Sequence, residues 1–184
     1  MRALAAVWVA LGLAACDPMV ESDKPLFSAT GGQAKPGLWA VLADGCAAPT
    51  TAAVQRWPAC AMPVWVEDGA LTFIMMQPMR TQFLIAQGSP GVLQMENLKD
   101  APPGGSPPKP GYSYLAVEPE GRPPYIRGRV WVAGCSREKP PSITDVEATE
   151  SECRASTAAG VRAALTEAIK REKPQAAVWV APIP

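Results

Sequence analysis

The sequence predicts an α+β domain: a mainly antiparallel β-sheet formed as a meander of short strands, with one long C-terminal helix packed on it and a short disulfide-clasped helix. Three observations support this fold class. The 184 residues include 21 prolines and 15 glycines, which interrupt a chain too often for a helical bundle and favour short strands and turns. Several segments alternate apolar and polar side chains with the two-residue period of a strand. The segment 150–172 instead has the apolar spacing of an amphipathic helix.

The first 15 residues are predicted to be an export signal and not part of the fold. Arg2 gives the start a positive charge, and 3–15 then runs without a polar side chain. As a helix this run covers roughly 20 Å, at about 1.5 Å per residue, whereas a hydrocarbon core is about 30 Å thick. The run is therefore too short for a stable membrane span. The alternative is a buried N-terminal helix or strand.

The apolar run ends in Leu13-Ala14-Ala15-Cys16, which resembles the lipobox of bacterial lipoproteins. The resemblance covers residues 1–17 and implies that a signal peptidase cuts before Cys16 and that the sulfur of this cysteine is acylated. Each buried methylene contributes about 0.8 kcal/mol, so several acyl chains on one residue make a lasting membrane anchor. The resemblance thus implies a lipid-anchored protein of the bacterial cell envelope, in the inner or the outer membrane, with its domain outside the cytoplasm.

Residues 16–36 are predicted to be a flexible tether between this anchor and a single domain that spans 37–184. The segment is rich in Asp, Ser, Gly and Pro, with Leu26-Phe27 as its apolar pair. As a flexible coil it reaches roughly 25 Å. The alternative is that Leu26 and Phe27 dock on the domain and shorten that reach.

The four remaining cysteines, Cys46, Cys60, Cys135 and Cys153, are predicted to form disulfides because the implied compartment is oxidising. Four cysteines allow three pairings, and separations of 14 and 18 residues favour Cys46 with Cys60 and Cys135 with Cys153. In the chain-entropy model, closing such a loop stabilises a fold by about 3 kcal/mol. The alternative is a four-thiolate zinc site, which the lack of a C-x-x-C pair in the sequence disfavours.

The first half of the domain is predicted to contain strand 37–42, a short helix at 50–57 that Thr50 and Thr51 cap, and then a hairpin. Asp68-Gly69 is the dipeptide typical of a two-residue hairpin turn. Pairing outward from this turn puts three pairs on the core face: Val66 with Leu71, Val64 with Phe73, and Met62 with Met75. Strands at 81–87 and 92–97 then complete a four-strand antiparallel meander.

The second half is predicted to contain strands 112–118 and 124–133, followed by the long helix and a last strand at 176–181. Thr149-Glu150-Ser151-Glu152 matches a capping box, which predicts that the helix begins there. Its apolar stripe consists of Ala158, Val161, Leu165, Ala168 and Ile169. The connection through this helix is long enough for a right-handed crossover, so the last strand is expected to be parallel to the strand before the helix.

The tripeptide Val-Trp-Val occurs at 64–66, 130–132 and 178–180. In strands this pattern places the three tryptophans on the sheet face opposite the meander core, beneath the long helix. The candidate ligand surface, for an anionic or glycan ligand, consists of Trp65, Trp131, Trp179, Arg127 and Arg129. The alternative is that the tryptophans pack under the helix and the arginines belong to a solvated face.

The amino-acid composition disfavours several classes of function. The 17 basic and 17 acidic side chains balance, so a nucleic acid is not predicted as a partner. Histidine is absent, which removes the most usual general base and the commonest zinc ligand. No metal, no cofactor and no catalytic constellation are predicted from the sequence.

The leading hypothesis is a non-enzymatic binding or structural module that contacts an envelope protein, a glycan or an apolar ligand. A second hypothesis is a carrier of an apolar ligand, which requires the sheet to curl into a barrel with Trp and Met side chains around a cavity. A third is an enzyme. Its candidate polar residues lie close together in sequence: Tyr112, Tyr114, Glu118, Glu120, Arg127 and Arg129.

The predicted anchor is tested by replacing Cys16 with serine. We expect the variant to lose incorporation of labelled palmitate and to leave the membrane fraction, because no other residue of the chain is assigned to the lipid. A chain with Cys46→Ser instead keeps its label, since that sulfur is assigned to a disulfide. Unchanged labelling and fractionation of the Cys16 variant would contradict the predicted address.

Overall fold

The computed structural model describes residues 18–28, 31–74, 79–97, 111–132, 134–136, 142–149 and 152–182. Within these ranges the strands are β1 (Val20–Ser22), β2 (Gly37–Leu42), β3 (Ala61–Glu67), β4 (Ala70–Phe73), β5 (Met79–Ala86), β6 (Gly91–Asn97), β7 (Gly111–Pro119), β8 (Arg127–Trp131), β9 (Val146–Ala148), β10 (Cys153–Ala155) and β11 (Gln175–Ala181), and the α-helix is α1 (Ala158–Ile169). In the described part of the chain, no helix is long and apolar enough to cross a bilayer.

Eight strands form a closed antiparallel barrel in the order β2-β3-β4-β5-β6-β7-β8-β11 and back to β2. β6 pairs with β7 along its whole length, and β11 lies between β8 and β2. The predicted fold class, an α+β meander sheet, is therefore wrong. Closure gives each of the eight strands a partner on both sides, which an open sheet cannot provide for its edge strands.

The hairpin prediction is confirmed where the structure describes it. Val66 lies opposite Leu71 and Val64 opposite Phe73, around a turn in which Gly69 has a φ of 70°. The predicted partner Met75 lies outside the described residues. The alternation of side chains along these strands directs the paired residues into the barrel.

A second core lies outside the barrel, between α1 and the outer face of β5, β6, β7 and β8. The helix contributes Val161 and Leu165, which have no exposed surface, and the barrel contributes Val92 and Ala116. The apolar stripe predicted for the helix is therefore the face that packs. The same barrel strands thus bury both of their faces, one in the interior and one under the helix.

The helix is shorter than the predicted 150–172 because the apparent capping box belongs to another element. The Thr149 hydroxyl accepts a hydrogen bond from the Glu152 amide at 3.0 Å, and the Thr149 amide donates to the Glu152 carbonyl at 2.8 Å. These bonds link the residue after β9 to the residue before β10. The true N-cap is Thr157, whose Oγ1 accepts from the Gly160 amide at 3.0 Å. Hydroxyl side chains satisfy free amides equally well in turns and at helix starts.

The predicted parallel crossover is also wrong, because β11 runs antiparallel to β8 and to β2. The chain leaves β8 at one end of the barrel, forms the β9–β10 hairpin and α1, and returns to the same end. A connection that starts and finishes at one end of a sheet delivers an antiparallel strand.

The N-terminal segment packs on the domain, so the predicted flexible tether over 16–36 is wrong for the part that the structure describes. β1 pairs antiparallel with β7 and parallel with β10. The Gln94 side chain accepts hydrogen bonds from the amides of Leu26 at 2.9 Å and Phe27 at 3.0 Å. The alternative, docking of Leu26 and Phe27, is the arrangement observed.

The two predicted disulfide pairings are both present, Cys46–Cys60 and Cys135–Cys153, so the four-thiolate zinc alternative is wrong. The first closes a loop that packs Trp57 against Ala40 and Leu42 on the outer face of β2. The predicted helix at 50–57 is reduced there to a single 3₁₀ turn, Val54–Arg56. The second disulfide is buried in the outer core and joins the segment after β8 to β10.

The outer core predicts a stability difference between two neighbouring helix positions. Leu165→Ala removes a side chain with 0% exposure, and we expect a loss of about 2–5 kcal/mol in the free energy of unfolding. Thr166→Ala changes the adjacent, exposed position and should alter stability by about 0.5 kcal/mol or less. Urea unfolding of both variants measures the difference, and equal losses would contradict this account of the helix.

Tyr114 predicts a specific dependence of stability on pH. Burial raises the pKa of the Tyr114 phenol, which the hydrogen bond with Ser22 at 2.6 Å offsets in part. A raised pKa means that the fold favours the neutral phenol, so its contribution is complete below about pH 10, the value for an unfolded tyrosine, and is lost as pH rises through the folded pKa.

The test compares wild type with Tyr114→Phe, because phenylalanine lacks the titrating group. We expect the free energy of unfolding to fall more steeply in wild type than in the variant once the pH passes about 10. Urea unfolding across that range measures it. Parallel curves would contradict a raised pKa for this phenol.

Candidate ligand cavity in the barrel

The barrel encloses a cavity of about 400 Å³ between its eight strands. Inward-facing residues of every strand contribute, because the side chains of a strand alternate between the interior and the exterior. The lining residues described by the structure are Met19, Glu21, Ala34, Trp39, Val41, Met62, Val64, Val66, Leu71, Phe73, Met79, Thr81, Phe83, Ile85, Leu93, Met95, Ser113, Leu115, Val130, Val132, Gln175 and Ala177. Most of these side chains are aliphatic, aromatic or thioether groups.

One end of the barrel is closed by the chain just before β2. Ala34 lines the cavity there and pairs with Tyr125 across the barrel end. The Trp39 indole donates to the Lys35 carbonyl at 2.8 Å, and the Trp179 indole donates to the Pro36 carbonyl at 3.1 Å. These two bonds satisfy the indole N–H groups while their rings pack in the interior cluster.

Gly37 permits this closure. Its φ is 144°, which disfavours any residue with a side chain, and a Cβ at this position would collide with the Trp179 ring and the Ala181 carbonyl. The first residue of β2 is thus in direct contact with the end of β11. This contact lies at the closed end of the cavity.

The other end of the barrel is called the mouth of the cavity here, because described residues that line the cavity there keep exposed surface. Met62, Met79 and Val132 line it and remain 36%, 51% and 54% exposed, respectively. Four polar side chains also lie among the lining residues: Glu21, Thr81, Ser113 and Gln175. β1 places Glu21 directly opposite Ser113, both directed toward the cavity.

The polar groups at the mouth differ in their freedom to bind a ligand. The Thr81 hydroxyl donates its one proton to the backbone carbonyl of Glu96, and the Gln82 carbonyl lies 3.1 Å from the same oxygen. Glu21 is half-buried and is the one charged side chain among the described lining residues. The described lining thus supplies one carboxylate and no cation to a ligand, and the guanidinium opposite Glu21, that of Arg154, lies outside the lining.

The candidate ligand surface predicted from the sequence is not one surface. Trp131 is buried under α1, Trp179 turns toward the barrel interior, and Trp65 lies half-buried on the outside of β3. The three Val-Trp-Val strands occupy different inward and outward registers, so the tripeptide alone does not define a common face. The prediction that these tryptophans share one face is wrong.

The two arginines do lie on the outside of β8, beside Trp131. Arg129 forms a 2.6 Å ion pair with Glu118, and its guanidinium carbon is 5.8 Å from the centroid of the Trp131 ring. Arg127 lies two residues earlier on the same face and lines a shallow exterior depression with Glu120. This face is solvated, and its arginines are in part already paired.

The polar residues considered for catalysis are not gathered around one cleft. Tyr114 is fully buried in the outer core, and its hydroxyl is bonded to Ser22. Glu118 is held by Arg129 on the exterior. Among the described residues, no group of three or more His, Cys, Asp or Glu side chains is arranged to hold a metal ion.

A second depression, of about 550 Å³, lies outside the barrel next to the C-terminal part of α1. Its walls include Trp131, Ile169, Glu118 and Lys170. Charged groups of both signs and loop backbone make this groove more polar than the barrel interior. The barrel cavity is thus the better site for an apolar ligand.

Sequence reasoning missed the residues that build the cavity from the distant strands, notably Trp39, Leu93, Leu115 and Ala177. Each lies at an inward position of a segment that was predicted as a strand. The two-residue period was therefore visible for each strand separately. The signal that the strands surround a common space is the pairing of β6 with β7 and of β11 with β2, which no local pattern shows.

Comparison with known proteins identified no relative of this chain. The chain matches no protein-family model, and no curated protein or solved structure is significantly similar to it.

Proposed function

We propose that this protein is a lipid-anchored module of the bacterial cell envelope that binds a small apolar molecule inside its barrel. The observation that carries the proposal is the cavity of about 400 Å³ with an almost wholly apolar lining. Ligand sites in proteins commonly measure about 300–1,000 Å³, and eight-stranded barrels have an interior wide enough for one small ligand. Binding would remove the ligand's apolar surface from water, which stabilises the complex by about 25 cal/mol per Å².

The carboxylate of Glu21 at the mouth favours some apolar ligands over others. Glu21 is half-buried beside the cavity, and the described lining contains no Lys or Arg. A fatty-acid carboxylate would bring a like charge close to Glu21, and Arg154, which lies opposite Glu21 in β10, is already paired with Asp23 at 2.8 Å. A neutral molecule, or one with an amine at its polar end, suits the site better.

The lining also favours binding over catalysis. Its side chains are mostly hydrocarbon, and the Thr81 hydroxyl is already bonded to the Glu96 carbonyl. We therefore retain the non-enzymatic hypothesis from the sequence and specify its ligand class.

Two features support the proposed location. The lipobox-like segment at 13–16 is the pattern that would direct export and acylation of Cys16. The two disulfides favour an oxidising compartment, because disulfides are rare in cytosolic proteins. The Cys135–Cys153 bridge is buried in the outer core.

Ligand binding is tested by filling the cavity. Ala177 lies on β11 and lines the cavity, opposite Val41 and Gly128 in the neighbouring strands. We expect Ala177→Phe to weaken binding of the neutral fluorescent probe N-phenyl-1-naphthylamine by about 10-fold or more, since a loss of about 1.4 kcal/mol corresponds to a factor of ten. Titration of the mature protein with the probe measures the affinity.

The matched control is Ala176→Phe, one residue earlier on the same strand and exposed on the outside of the barrel. It adds the same side chain without entering the cavity and should leave the affinity unchanged. Absence of saturable binding to wild type, or equal affinities of the two variants, would overturn the proposed binding site.

A further inference from the structure

The first residues that the structure describes lie at the mouth of the cavity. Met19 lines the cavity and forms an antiparallel bridge with Gly134, two residues after Val132. Cys16 precedes Met19 by three residues, and a chain reaches at most about 3.6 Å per residue, so its sulfur is held within roughly 15 Å of the mouth. An acyl anchor on Cys16 would therefore bring this end of the barrel, and not the closed end, to the membrane.

The same end exposes apolar side chains. The large hydrophobic residues that are exposed among those described are Met62, Met79, Val132 and Ile126. The first three surround the mouth of the cavity and are called the mouth rim below. Ile126 lies just before β8, at the closed end. Exposed apolar side chains grouped around one opening mark a contact surface, whereas single ones are ordinary.

We infer that the mouth rim contacts the lipid bilayer, so that the cavity opens directly into the membrane and its ligand moves between bilayer and barrel without crossing water. The inference rests on the proposed acylation of Cys16 and on the proposed ligand class. It explains why three features lie at the same end of the barrel: the opening, the exposed apolar rim and the chain leading to the anchor.

A weak contact between the mouth rim and the bilayer is sufficient for a protein that is already tethered. Three partly exposed side chains bury too little apolar surface to hold a free protein on a membrane. A tether converts docking into an intramolecular step with a high effective concentration, so a weak contact is sufficient. A weak contact also lets the barrel leave the surface, which ligand exchange with another carrier would require.

Neutral lipid is the partner that the charges favour. The described lining of the mouth contains the carboxylate of Glu21 and no basic side chain. Anionic membranes are recognised by clustered Lys and Arg, which this rim does not supply among its described residues. Vesicles of phosphatidylcholine are therefore the appropriate probe.

The experiment compares two exposed positions by photocrosslinking. A benzophenone amino acid replaces either Met79 at the mouth rim or Ile126 at the closed end, which are 51% and 46% exposed. Residues 16–184, which retain every described contact of the fold, are coupled through the Cys16 thiol to a maleimide lipid in phosphatidylcholine vesicles. The thiol adds across the maleimide double bond and its proton passes to the maleimide carbon, so coupling does not depend on acylation in the cell.

We expect at least fivefold more lipid adducts at position 79 than at position 126, counted by mass spectrometry after illumination. A benzophenone at Val132 provides a second rim position if the Met79 variant folds poorly, as judged by circular dichroism. Equal yields at the two ends, scarce adducts at both, or adducts at the rim to a second copy of the chain would each overturn the inference.

The inference rests on two proposals, acylation of Cys16 and ligand binding in the cavity, and separate measurements test each of them. Loss of palmitate labelling in cells tests acylation of Cys16, and probe titration of the same coupled protein tests the cavity. Rim crosslinking without probe binding would leave a membrane-docked module and remove only the claim about ligand transfer.

Discussion

Closure of the barrel is the constraint on which the rest of this structure depends. β6 pairs with β7, and β11 completes the ring between β8 and β2. Without these contacts the backbone donors and acceptors of four strands would lack partners along one side. The ring also creates an interior. The cavity, its mouth and its closed end exist only because strands from both halves of the chain surround one space.

Closure imposes two different cores on the same strands. Side chains of one parity enter the barrel, and those of the other parity face outward, where α1 and the N-terminal segment cover β5 to β8. The outer core is filled, with Leu165, Val161 and Tyr114 fully buried. The interior keeps an empty volume. The outer core thus buries one face of the barrel strands, while the interior keeps space for a ligand.

The disulfides and the N-terminal segment secure the ends of this arrangement. Cys135–Cys153 joins the chain after β8 to β10, which in turn pairs with β1. Residues 33–36 close one barrel end, held there by hydrogen bonds from two indoles. The segment that sequence composition describes as a tether is therefore part of the wall and part of the closure. Its polar residues satisfy backbone groups at turns, so composition alone does not distinguish it from a free coil.

Local features could be predicted from the sequence: the hairpin at Asp68-Gly69, most strand positions, the apolar stripe of α1 and, as the favoured one of three possibilities, the pairing of the cysteines. Each depends on residues close together in the chain, whose spacing is visible in one dimension. Four outcomes could not be predicted locally: the sheet closes, β11 is antiparallel to β8, Thr149 and Glu152 bond to each other between β9 and β10, and Trp131 and Trp179 lie in different cores. These outcomes depend on pairing between strands that are distant in the chain. A two-residue period shows that a strand has two different faces, but it does not show which residues pack against each face.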